Sequence, residues 1–257
     1  MAMTKVKTPE ELKAMRESCR ILGLILHELE QMVEPGISTM DLERKAEELC
    51  KKYQVRPGFK GYHGYPAILC TSVNDEAVHA IPNESKLNEG DILSIDCGVI
   101  VNGMNSDSAI AMVVGQKASE QARLLVDTCI KAMWAGIKQV KDGCHIGDIG
   151  EAVQNVVEGA GFTVIQDLTG HGIGEGLHEP PYILNYGEAG KGFQLKAGMT
   201  IAIEPIICAG NGQIETLDDD WTIVTEDHSL AIQHEHTILV TQNGFEVLSL
   251  RPGEKSV

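Results

Sequence analysis

Two aspartates, two glutamates and one histidine stand out in this chain as side chains that could hold metal ions: Asp96, Asp107, Glu204, Glu235 and one of the pair His171 and His178. The first two lie in Ile92–Met112, where two runs rich in Ile and Val flank Asn102-Gly103. That dipeptide suits a two-residue type I′ hairpin turn. With Asn102-Gly103 as the turn, paired positions sum to 205, so Gly98 faces Asp107 and Asp96 lies diagonal to Asp107 on the same face. Diagonal neighbours across antiparallel strands sit roughly 7–8 Å apart, close enough for a shared ion to connect long side chains. Two carboxylates on one face repel and are costly to bury unless a cation joins them. The alternative is a solvent-exposed face on which the aspartates are merely solubilising, and the hairpin alone does not separate the two readings.

The second half of the chain adds three candidates. In Gly170-His171-Gly172-Ile173-Gly174-Glu175-Gly176-Leu177-His178, glycine alternates around two histidines. It either lets backbone approach a ligand or forms a flexible loop, and taken alone the stretch reads as the loop. Glu204 ends the apolar run Ile201-Ala202-Ile203 just before Pro205. From Ala231 to Val240 the alternation puts Gln233, Glu235 and Thr237 on one face, with His234 and His236 on the other. A lone Glu or His on a strand is ordinarily solvated or hydrogen-bonded. Together, four carboxylates and one imidazole balance two divalent cations, and oxygen donors with one nitrogen suit Mn²⁺, Fe²⁺ or Co²⁺, with Zn²⁺ as a further option. Two metals about 3.5–4 Å apart share a hydroxide nucleophile and polarise a carbonyl or phosphoryl oxygen.

The elements that must position these residues are legible in outline. Thr8-Pro9-Glu10-Glu11 starts a helix with a capping box and Pro at its first position. Leu12, Met15, Cys19, Leu22, Leu26 and Leu29 recur at helical spacing, and the helix should stop before Pro35-Gly36. A second helix is predicted from about Thr39 to Lys52, a strand over Ala67–Val73, and then the hairpin. Helical patterns resume near Ser119, break at Asp142-Gly143 and restart from Gly147 to Gly161. Val33–Leu42 aligns with Val140–Ile149 at a constant offset of 107, too long for a solenoid period. The expectation is two halves about a pseudo-twofold, each a helix pair followed by strands, in an α+β fold whose helices cover one face of a largely antiparallel sheet. The closing strands are predicted over Met199–Ile207 and Leu230–Val240. Sites tend to form where such halves meet.

Composition narrows the function classes. A formal charge of -16 offers no positive field to collect phosphates and argues against general nucleic-acid binding. Seven cysteines without a CxxC pair suit a reducing compartment better than a disulfide framework. The polar N-terminus lacks a signal-peptide core, and the apolar run Ile21–Leu26 is too short to cross a bilayer. A cytoplasmic protein without membrane attachment is expected.

With these residues assembled, the chain resembles the type I methionine aminopeptidases over nearly its whole length. The resemblance rests on GYHGYP (Gly61–Pro66), C-x-S-x-N-x-x-x-H-x-I-P (Cys70–Pro82), Asp96 with Asp107 eleven residues on, GHGIG and HEPP (Gly170–Pro181), GMTIAIEP (Gly198–Pro205), Asp220-Trp221-Thr222, and EHT (Glu235–Thr237). It implies the pita-bread α+β fold, a curved antiparallel sheet covered by two helix pairs. It also implies a single catalytic domain over 1–257, with halves of about 8–112 and 117–250. The implied activity is removal of the initiator methionine from nascent proteins and peptides with a small second residue, through attack of a metal-bridging hydroxide on the first peptide bond. Asp96 would then chelate one metal, His171 with Glu204 the other, and Asp107 with Glu235 would bridge both. Glu204 would accept the proton, His178 would contact the scissile carbonyl oxygen, and His79 would sit on the amide nitrogen side, against the alternative of a structural histidine. Phe59, Tyr62, Tyr65, Cys70, Leu177 and Trp221 would line the methionine pocket, where a soft sulfur partner suits a thioether. The resemblance further implies a monomer acting on nascent N-termini, with transient ribosome association.

The chain departs from the family pattern at four places. Gly98 stands near Asp96 where a small side chain is frequent, Ala80 replaces the usual Gly, Leu177 stands where an aromatic is common, and Phe59 where a smaller residue is common. None is a candidate metal ligand, so they bear on pocket width, rate and tolerance of the second residue. A prolidase or Xaa-Pro aminopeptidase would be expected to carry an extra N-terminal domain, whereas this chain enters the fold by residue 8. A non-catalytic pita-bread protein would have lost ligands, and a dimetal phosphoesterase would want more His or Asn ligands and a basic grip on phosphate.

Overall fold

In the computed structural model, which describes residues 4–256, the chain enters α1 (Pro9–Glu30) through the capping box its sequence spells out. Thr8 Oγ1 accepts from Glu11 N at 3.2 Å, and Glu11 Oε2 accepts from Thr8 N at 2.8 Å. Met15, Cys19, Leu22, Leu26 and Leu29 form a fully buried stripe against the hairpin, while Leu12 at its near end is half-buried. Each buried leucine contributes roughly 1.5–3 kcal/mol relative to exposure. Gly23 sits in mid-helix because a Cβ there would lie 2.6 Å from Leu250 O, where the C-terminal segment crosses. α2 (Thr39–Tyr53) starts at Ser38, whose Oγ accepts from Asp41 N at 3.1 Å.

The hairpin has the register that the turn dictates. Ile92–Val101 pairs with Met104–Val113, with Gly98 opposite Asp107 and Asp96 opposite Ala109. Asn102 and Gly103 both take positive φ, 49° and 81°, as a type I′ turn requires. Leu69–Val73 pairs along the other edge of Ile92–Val101, and Arg56–Pro57 joins it near the turn. One face of this sheet buries Leu93, Ile95 and Ile110 against Leu22, Leu42 and Leu49 of the first helix pair.

The second half repeats the plan with α3 (Glu120–Ile137) and α4 (Ile146–Gly159). The offset of 107 carries the N-cap Ser38 onto the N-cap His145, and Gly36 onto Gly143, both at positive φ. Each N-cap also makes an isolated antiparallel bridge, Ser38 to Lys86 and His145 to Gln194. A second core buries Leu125, Met133 and Ile149 against Ile201, Ile203 and Ile238.

Two expectations need correction. The runs Met199–Ile207 and Leu230–Val240 are not continuous strands. The first divides into Thr200–Ile203 and Ile206–Cys208, the second into Ala231–Gln233 and His236–Thr241. Both breaks fall at the same level, at Glu204-Pro205 and His234-Glu235, where Pro205 has no N–H to give a ladder. The strands leave one sheet and join another there, so the curved layer is made of four hydrogen-bonded sheets, every described pairing antiparallel. The glycine-rich stretch is also not simply a flexible loop: Gly170–Gly172 is a buried strand between Glu179–Ile183 and Thr200–Ile203. A Cβ on Gly172 would lie 2.8 Å from both Glu179 O and Pro180 O, so glycine there serves close packing rather than a turn. Among the described residues, no helix is long and apolar enough to cross a membrane.

Candidate active site

The two halves meet with their carboxylates facing one another. Asp96 and Asp107 come from the hairpin, His171 from the short strand Gly170–Gly172, and Glu204 and Glu235 from the two strand breaks. All five are buried, with exposures of 7% or less. Donor atoms of Asp96, Asp107 and Glu235 lie within 4.8 Å of one another, as do those of His171, Glu204 and Glu235. Glu235 is common to both groups, and Asp107 Oδ2 reaches to 3.8 Å from His171 Nε2. The solvent-exposed alternative for the hairpin aspartates is thereby excluded.

Burial pushes Asp96 up to about 7. Burial, followed by repulsion from the neighbouring carboxylates, pushes Asp107, Glu204 and Glu235 well above the ordinary range. Asp96 Oδ1, Asp107 Oδ1 and Glu235 Oε1 are buried without a hydrogen-bond partner. Two unit charges 4 Å apart repel by about 4 kcal/mol at an effective dielectric of 20, and a whole domain is stable by only about 5–15 kcal/mol. Four carboxylates cannot all be charged here without positive counter-charge. The donor set therefore fits divalent cations, which would occupy the orphaned oxygens and cancel the repulsion.

His171 is set up as a neutral ligand. Its Nδ1 lies 3.0 Å from Gly172 O, which can only accept, so Nδ1 carries the proton and Nε2 turns its lone pair to the carboxylates, 3.4 Å from Glu204 Oε1. Burial, and then the neighbouring His178, lowers its pKa to about 3.

Beside the carboxylates is a cavity of about 220 Å³ lined by Phe59, Tyr62, His63, Tyr65, Cys70, His79, Leu177, His178, Trp221 and Gln233 together with the acidic groups. Phe59, Tyr65, Cys70 and Leu177 are buried, and Trp221 stands edge-on to Tyr65 with ring centroids 5.0 Å apart. Tyr65 also donates from its hydroxyl to Leu69 O at 2.8 Å, so it is tied to the backbone as well as facing the cavity. His178 lies at the open side, its Nδ1 3.1 Å from Tyr62 Oη. His79 holds φ at 61°, a conformation uncommon outside glycine that tends to mark functional positions. A second cavity of about 340 Å³ shares Tyr62, His63, His79, His171, His178 and Glu204 and extends outward to Asp167, Leu168 and Tyr182.

The structure thus brings the residues named as candidate ligands, catalytic groups and pocket walls around one cavity. Two more belong with them. Gln233 Nε2 donates to Glu204 Oε2 at 3.0 Å; the strand alternation had placed Gln233 on the same face as Glu235 without giving it a task. His63 lines both cavities at φ 48° and packs edge-on against Tyr62, and its place within GYHGYP was its only signal. A separate cluster, His234, His236 and Glu254, lies behind Glu235, but Arg251 already supplies its positive charge, with Nη2 3.1 Å from Glu254 Oε1.

A pita-bread fold with a carboxylate-rich metal centre between its halves defines a class, and residues 13–242 match metallopeptidase family M24, to which the chain belongs. Among its relatives are methionine aminopeptidases. It is 43% identical to methionine aminopeptidase 1 of Bacillus subtilis, covering 95% of this chain and 98% of that one. It is 42% identical to the methionine aminopeptidase of Clostridium acetobutylicum over 96% of this chain and 99% of that one. The crystal structure of methionine aminopeptidase from Thermotoga maritima superposes with a TM-score of 0.94 at 40% identity, covering 97% of this chain and all of that one.

Proposed function

We propose that the chain is a metal-dependent aminopeptidase that removes the initiator methionine from nascent proteins and peptides whose second residue is small. The observation that carries this reading is the juxtaposition of orphaned buried carboxylates with a cavity whose wall includes Phe59, Tyr65, Cys70, Leu177 and Trp221. Asp96, Asp107, His171, Glu204 and Glu235 would hold two divalent ions, for which Mn²⁺, Fe²⁺ and Co²⁺ suit the donors and Zn²⁺ is accommodated. Bound there, such ions polarise a peptide carbonyl and make water nucleophilic near neutral pH.

The chain's own groups do the rest. The methionine side chain occupies the cavity, its sulfur against aromatic rings and Cys70. His178 Nδ1 lies 3.1 Å from Tyr62 Oη; with that nitrogen accepting from the hydroxyl, Nε2–H of His178 would donate to the scissile carbonyl oxygen. Gln233 donates to Oε2 of Glu204 and so orients the carboxylate that would take the proton from water and return it to the departing amine. His79 stands on the amide nitrogen side of the bond. The small second residue and the nascent-chain substrates are what the resemblance to type I methionine aminopeptidases implies; action as a cytoplasmic monomer with transient ribosome association is the companion expectation. One catalytic domain spanning 1–257 is the domain reading that goes with it.

The test is methionine release from Met-Ala-Ser, with metal-free protein titrated by Mn²⁺, Fe²⁺, Co²⁺ or Zn²⁺. Ala-Pro dipeptide and Glu204→Gln serve as controls. Metal-dependent release that the variant loses supports the reading, whereas hydrolysis of Ala-Pro with none of Met-Ala-Ser would replace it with a prolidase-type activity.

A further inference from the structure

Lys7 is a charged side chain with no exposed surface, on the arm that precedes α1 and far in sequence from every candidate metal ligand. Its Nζ donates to Thr4 Oγ1 at 2.7 Å, to Lys5 O at 3.4 Å and to Glu179 Oε2 at 3.4 Å. Glu179 uses its other oxygen, Oε1, to accept from Gly176 N at 2.8 Å. Gly176 directly precedes Leu177 and His178. A Cβ on Gly174 would come within 2.7 Å of Lys7 Nζ, so the ammonium lies flush against this loop and glycine makes room for it. The arm carrying Lys7 is itself fastened on both sides, by Thr4 N to Pro180 O and Lys7 N to Gly198 O.

A buried ammonium is expensive unless its charge is paired and its protons are used. A core that needed only packing here would be served by Met or Leu. What the charge adds is a directional link, Lys7 to Glu179 to the Gly176 amide, ending one residue before the first of two side chains that face the substrate cavity. From the other side Asn105 Nδ2 donates to Gly174 O and Glu175 O, so the loop is gripped front and back.

We infer that Lys7, through Glu179, is a positioning residue for catalysis: the N-terminal arm sets the loop that presents Leu177 to the methionine side chain and His178 to the scissile carbonyl. This rests on the roles given to those two residues above. The test measures kcat and KM for Met-Ala-Ser on metal-loaded wild type, Lys7→Met, Glu179→Gln and Thr8→Ala. Thr8→Ala removes the cap of α1 one residue further on and lowers stability without touching the loop. Lys7→Met and Glu179→Gln are each expected to raise KM at least fivefold and to lower kcat at least fivefold, with the double variant no worse than the poorer single one. Thr8→Ala is expected to leave KM unchanged, because a smaller folded fraction lowers only the apparent kcat. If Lys7→Met does not fold, Glu179→Gln decides. A KM within twofold of wild type in the folded variants, or a KM rise of equal size in Thr8→Ala, overturns the inference. A wild type that releases no methionine would instead sink the aminopeptidase reading itself.

Discussion

The two halves deliver their carboxylates in different ways. In the first half both aspartates stand on the pleat of an unbroken hairpin whose strands run ten residues each. In the second half both glutamates stand where strands change sheets. The pairing of Ile203 with His236 continues outward so that Pro205 O accepts from His234 N, which leaves Glu204 and Glu235 opposed across the gap. A pleat fixes side chains by alternation alone, so the first pair has its direction from register. A strand break frees the backbone to turn, and direction must then come from other contacts: Gln233 on Glu204, and Thr237, whose Oγ1 donates to Asp107 O across the seam. The regular half is a template and the irregular half is fitted to it.

The largest expected effect tests whether the halves are equal partners. Asp96→Asn and Glu204→Gln should each lower kcat/KM for Met-Ala-Ser by more than about 100-fold, since even residues that only support metal ligands cost 10–100-fold. In metal-free protein the same substitutions remove one of four mutually repelling carboxylates, so thermal unfolding should show Tm raised, by about 2–4 °C per kcal/mol relieved. A lowered metal-free Tm in both would contradict the repulsion argued here. An effect confined to one half would show that a single ion position dominates.

Glycine substitutions probe the difference in backbone tolerance. Gly172→Ala sets a methyl 2.8 Å from two backbone carbonyls in the second half, and overpacking of this kind costs about 1–3 kcal/mol. Gly98→Ala in the hairpin meets the edge of the Phe59 ring at 2.8 Å and one backbone carbonyl, Ser106 O, at 3.0 Å; the ring can yield and the carbonyl is less tight than the two at Gly172, so the cost should be the smaller of the two and should shrink further beside Phe59→Leu. Denaturant midpoints of the three variants check the order; equal costs at Gly172 and Gly98 would dissolve the contrast. The smallest effect concerns the matched helix starts. Ser38→Ala should cost about 1 kcal/mol, the usual worth of an N-cap hydroxyl. His145→Ala should cost less, because the His145 side chain makes no capping hydrogen bond for the substitution to remove, whereas Ser38 Oγ accepts from Asp41 N. Neither should change KM.

The sequence was most readable where local rules coincide. Asn102-Gly103 fixed the hairpin register by turn chemistry, and with it the shared face of Asp96 and Asp107. The capping box at Thr8 marked the first helix, and the offset of 107 the two helix pairs and their symmetry. The breaks at Glu204 and Glu235 were unreadable because an apolar run carries no mark of which sheet it pairs with; that is settled by partners distant in sequence. The strand Gly170–Gly172 reads as a loop in the sequence because alternating glycine is ambiguous between flexibility and close packing, and only the neighbouring carbonyls resolve it. Lys7 gave no signal at all, since a lysine near an N-terminus ordinarily faces water.

The ligand set is shared between two cores, with Asp96 and Asp107 anchored in one and Glu204 and Glu235 in the other. Any ion seated among them is bound only while both cores are folded. Each ion in hundredfold excess over its dissociation constant would add about 2.7 kcal/mol to the folded state, and that energy belongs to neither half alone. Cargo of this kind acts as a rivet: it converts two structurally repeated bodies into one cooperative unit, so that metal content sets how far either half can open without the other.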